Sequence, residues 1–105
     1  MPLADEIAEL LTMPEDGVGA PSLDAIEGTL THGYAAKHAL EADRWRIERR
    51  LGEVARDGGN GTRRRELARL SAQLERTDGE LAQLCTLLHD LSGVRRRRKA
   101  AARAA

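Results

Sequence analysis

Phenylalanine is missing from this 105-residue chain, and tryptophan and tyrosine occur once each. Aromatic rings supply much of the buried area in ordinary globular cores, so a core of that kind is excluded. A single cysteine excludes an intrachain disulfide and suits a reducing, cytoplasmic setting. No apolar run approaches the ~18 residues of a membrane-crossing helix. The opening stretch MPLADEIAELL is acidic where a secretory signal would be basic. The expectation is a cytoplasmic protein with no membrane role. Lysine is scarce beside arginine, and alanine and glycine are frequent, a bias that suits a GC-rich bacterial genome.

Catalytic patterns are lacking as well. There is no nucleophile–base arrangement, no phosphate-binding glycine loop and no His-Glu-x-x-His pattern. Cys85 and His89 have the i,i+4 spacing of a metal pair, but no third or fourth ligand falls level with them. The reading is therefore a non-enzymatic chain with no cofactor, no metal and no small-molecule substrate.

What the chain does contain is two leucine-rich series with alternating steps of three and four. One is Leu23, Ile26, Leu30, Gly33, Lys37, Leu40, Arg44, Ile47, Leu51 and Val54. The other is Leu67, Leu70, Leu74, Thr77, Leu81, Leu84, Leu88 and Leu91. This is the heptad pattern of a coiled-coil seam. Between them lies Gly58-Gly59-Asn60-Gly61, a turn signal. Folding the chain there sets Val54 opposite Leu67, Leu51 opposite Leu70, Ile47 opposite Leu74 and Leu40 opposite Leu81, each pair of numbers summing to 121. The fold predicted is all-α: an antiparallel coiled-coil hairpin with arms at about 22–57 and 62–92 and a turn at 58–61.

Around the hairpin, residues 1–13 read as a short amphipathic helix, too short to be stable alone. Residues 14–21, with Pro14, Gly17, Gly19 and Pro21, read as a linker. Ser22 and Thr62 are the expected caps of the two arms. Residues 93–105 form a basic tail that either begins where Gly93 ends the second arm or continues its helix.

The seam has one polar layer, Arg44 opposite Thr77, flanked by Glu41, Asp43, Asp78 and Glu80. A polar seam residue fixes alignment at some cost in stability. Arg44 and Thr77 are therefore expected to lock the register, with the guanidinium reaching outward to the acids.

Zero net charge hides a division. Residues 1–43 carry nine acids and one base, and residues 44–105 carry eight acids and sixteen bases. The basic clusters are Arg63, Arg64 and Arg65 at the start of the second arm, and Arg95, Arg96, Arg97, Arg98 and Lys99 in the tail. They are candidate contacts for an anionic partner. Three readings compete: acidic protein surface, including residues 1–43 of a neighbour; nucleic-acid phosphates, whose binding would be salt-sensitive; or a solvated end. No aromatic residue is interleaved for base stacking.

A two-helix seam is thin for independent stability. The sequence therefore predicts a homo-oligomer or docking onto a partner protein. Candidate interface residues are Ile7, Leu10 and Leu11 on the short helix, Leu87 at the wide end of the seam, and Tyr34 and Trp45. The last two lie with His38 and Glu41 along the outer stripe of the first arm, where aromatic residues suit interface anchoring. The function expected is a helical interaction and assembly module, with a nucleic-acid-associated accessory protein as the alternative.

Overall fold

The computed structural model describes residues 2–57 and 61–104, and all regular structure among them is helical. Helix α1 spans Pro2–Thr12, α2 spans Leu23–Arg56 and α3 spans Gly61–Ala104. The two long helices pack antiparallel. The residues expected to form the turn, Gly58, Gly59 and Asn60, lie outside the described residues.

Helix α2 starts where the sequence places it. The Ser22 Oγ accepts a hydrogen bond from the Ala25 N–H at 3.0 Å, satisfying one of the donors that a helix start leaves open. Helix α3 already includes Gly61, so Thr62 stands inside its first turn rather than ahead of it as a cap. The larger difference is at the other end. Helix α3 does not stop near residue 92 but runs through the basic segment to Ala104. Arginine and alanine are strong helix formers, and no proline follows to break the helix. Gly93 is buried within it rather than ending it.

The linker contains the only described backbone in the left-handed region, at Gly17 and Gly19 with φ of 77° and 87°. Both positions require glycine, since a side chain there would be strained.

The chain divides into two compact units, and both long helices contribute to each. The three-helix unit comprises the chain up to Lys37 together with the chain from Gln83 onward. Its core is Ala4, Ile7, Ile26, Leu30, Leu84, Leu88 and Leu91. Gly33 is buried, and a Cβ built on it would run into the Leu88 side chain and lie 3.6 Å from Ile7. Gly33 and Leu88 are partners in the predicted register, so the missing side chain opens the seam at this level. Leu88 fills that opening, and Ile7 of α1 reaches it.

The two-helix unit is His38–Ala82. Its core is Ile47, Val54 and Leu70, with Leu51, Leu67 and Leu74 packed against them half-buried. These six are three of the pairs that sum to 121. Every described member of the two leucine-rich series is buried or half-buried except Arg44.

Candidate interaction surfaces

In the three-helix unit the acidic first third of the chain meets the basic end of α3. The Arg97 Nε donates to Glu15 Oε1 at 2.7 Å, and its Nη2 pairs with the same oxygen. Arg95 lies 3.6 Å from Glu27, and the Arg98 Nη1 donates to the Pro21 carbonyl at 2.7 Å. The hydrogen bond from Arg97 holds the Glu15 carboxyl below its ordinary range. The same bond raises the Arg97 guanidinium further above its own. Arg95, Arg97 and Arg98 are thus occupied within the chain. Arg96 is exposed and Lys99 half-buried. The division of charge that suggested contact with a neighbour's acidic segment is met, at these three residues, by the chain's own linker and α2.

The short helix is placed by the same unit. Ile7 has no exposed surface, which removes it from the candidate partner residues: the gap at Gly33 buries it inside the fold. Leu10 and Leu11 are half-buried, as is Leu87. Leu10 and Leu11 line a cleft of about 300 Å³ with Met13, Pro14 and Val94, and with His89, Asp90 and Arg96 at its polar side.

A neighbouring cleft of about 420 Å³ is lined by Tyr34, Lys37, Cys85, Leu88, His89, Ser92 and Arg96. The Tyr34 and Ser92 hydroxyls share a hydrogen bond of 2.9 Å, which turns the ring across the helix pair and leaves Tyr34 43% exposed. Cys85 is a half-buried free thiol. Among the described residues no group of three or more His, Cys, Asp or Glu is placed to hold a metal ion.

In the two-helix unit the polar layer is resolved differently on its two sides. Thr77 is buried, and its hydroxyl donates to the Gln73 carbonyl one turn earlier at 3.0 Å. Arg44 turns outward, donating from Nε to Asp78 at 2.6 Å and approaching Glu48 at 2.7 Å. Asp78 leads the causes that raise its pKa. Of the four acids expected around Arg44, only Asp78 is engaged in this way. Asp43 pairs with Arg46, and Glu41 lies 3.5 Å from His38. Glu48 takes the remaining place because i,i+4 residues share a helix face.

Trp45 is the most exposed aromatic residue, at 59%. The Arg49 guanidinium sits over its ring, 5.4 Å from the centroid, at cation–π distance. At the start of α3, Arg64 and Arg65 are exposed, and Arg63 is half-buried with its Nη2 donating to the Ala55 carbonyl at 3.3 Å.

No described helix is long and apolar enough to cross a membrane. Comparison with known family models, with curated proteins and with solved structures gives no match.

Proposed function

We propose that this chain is a non-enzymatic, cytoplasmic helical module that works by assembly, with itself or with another protein. The observation that carries the reading is Trp45. In a chain with one tryptophan, an indole left 59% exposed on a helical hairpin is surface that association would cover. Tyr34, also exposed, and the half-buried Leu10, Leu11 and Leu87 add candidate contact area on the three-helix unit. The three tail arginines held by Glu15, Glu27 and Pro21 weigh against a free polycationic arm.

Light scattering on the purified chain, paired with affinity capture from a bacterial lysate, tests the reading. Association in solution or recovery of a specific protein is the expected result. A folded monomer that recovers nothing overturns it.

The alternative, a nucleic-acid-associated accessory role, draws on Arg64 and Arg65, exposed at the start of α3. Positive charge is unfavourable at a helix N-terminus unless an anion accompanies it. A gel-shift titration over salt decides: absence of retention at low salt removes the alternative.

A further inference from the structure

We propose that a second copy of this chain docks on the outer face of α2 in the two-helix unit, through a two-fold contact centred on Trp45. The proposal rests on the assembly reading and names its partner and geometry. His38, Glu41, Trp45, Arg49 and Gly52 form one stripe, since steps of three and four return to the same helix face. The His38, Glu41 and Arg49 side chains are 80%, 48% and 65% exposed. Trp45 projects between them with Arg49 held over its ring.

The stripe is complementary to itself in one orientation only. Antiparallel pairing about Trp45 brings residues equally far before and after it to the same level. Glu41, four before, then meets Arg49, four after, and by symmetry this happens twice. His38, seven before, meets Gly52, seven after, where the Arg56 guanidinium lies 3.8 Å from the Cβ position, so the attraction comes from the two Glu41–Arg49 levels. Parallel pairing would instead set Glu41 against Glu41 and Arg49 against Arg49, opposing like charges. The unit also has reason to accept a partner. Its buried apolar residues among those described are Ile47, Val54 and Leu70, a thin core for 45 residues.

Sedimentation equilibrium on the full chain tests the contact. Wild type is expected to dimerise, and Trp45→Ala to weaken the dimer by roughly tenfold or more. Glu41→Arg and Arg49→Glu should each weaken it by roughly tenfold, because each converts two attractive pairs into repulsive ones. An equimolar mixture of these two single variants should dimerise as wild type does, because each chain then supplies the charge that the other needs. Residues 41 and 49 are about 12 Å apart along one helix, so an effect within a chain cannot produce that rescue. All four chains should show the same helicity by circular dichroism, since the altered side chains are exposed.

A mixture no tighter than the single variants overturns the proposal. So do variants that associate like wild type; that result places assembly on another surface and leaves the broader reading standing. A monomeric wild type overturns this contact, and affinity capture then decides the broader reading by itself.

Discussion

The two units are built from the same pair of helices, yet they bury their seams differently. Next to Gly33, a third helix supplies Ile7, and the surrounding leucines Leu84, Leu88 and Leu91 are almost wholly buried. Around Arg44 the described residues supply no third helix to the unit, Leu40, Leu51, Leu67, Leu74 and Leu81 stay half-buried, and a tryptophan stands in solvent. A coiled-coil pair shields only the seam between its helices. Whatever closes the sides must come from elsewhere in the chain or from another molecule. In the three-helix unit the chain supplies it. In the two-helix unit we propose that a second chain does.

The largest test of this contrast is Ile7→Ala. Loss of a fully buried isoleucine should cost about 2–5 kcal/mol. In amide hydrogen exchange, protection should fall in α1 and in the Leu23–Lys37 segment of α2. Equal loss over the Ile47–Val54 segment would mean that the units unfold as one, and the comparison would fail.

Two glycines should then respond differently. Gly33→Ala forces a methyl group into Leu88, an overpacking cost of about 1–3 kcal/mol that exceeds or offsets the ~1 kcal/mol gained in helix propensity. Gly79, in the two-helix unit, has nothing within 4 Å of its Cβ position. Gly79→Ala should therefore stabilise by about 0.5–1 kcal/mol. Chemical denaturation of both variants checks this, and a stabilised Gly33→Ala would show that the close approach of α2 and α3 is not tight.

A smaller effect is expected at Arg44. Its ion pairs with Asp78 and Glu48 are on the surface, where such pairs contribute little. Arg44→Leu should leave the thermal midpoint unchanged or raise it, while loosening alignment. Single cysteines placed at 47 and 74, in a chain lacking Cys85, would report alignment by their crosslinking yield. A large fall in the midpoint would show instead that Arg44 is needed to hold the acids together.

The smallest effect lies at Glu15. Its folded-state pKa is lowered by Arg97 from the ordinary 4.5. Its contribution to stability is therefore complete above that ordinary value and lost as pH falls through the lowered one. Carboxyl-detected NMR titration should find Glu15 titrating below the ordinary glutamate value, and Arg97→Gln should raise it back toward that value. An unshifted Glu15 in the wild type would mean that the linker is not held to α3 in solution.

The seam was legible in the sequence because heptad spacing is a local property, and the position of the glycine-rich stretch between the two series converts it into an expected register. The pairing of Gly33 with Leu88, the grouping of Ile47, Leu51 and Val54 with Leu67, Leu70 and Leu74, and the Ser22 cap all follow from spacing and residue type. The candidate surfaces were legible only in part. Trp45 and Tyr34 are exposed as their outer positions implied, whereas Ile7 proved to be interior. The sequence marked Ile7, Leu10 and Leu11 as an apolar face that needs cover but could not decide between the chain's own seam and a partner as what covers it. The charge division pointed to contact between the acidic and basic segments. Which arginine takes which acid depends on a linker path set by Gly17 and Gly19, and no periodicity encodes that path.

The sequence by itself thus determined the helices, their antiparallel order and their register, because each depends on the repeat of side chains along one axis. Tertiary structure alone decided that α1 closes the seam at Gly33 and that Arg95, Arg97 and Arg98 are held by the chain's own acidic segment. Those outcomes depend on distances between segments far apart in the chain, where a few ångströms separate a buried contact from a solvated one.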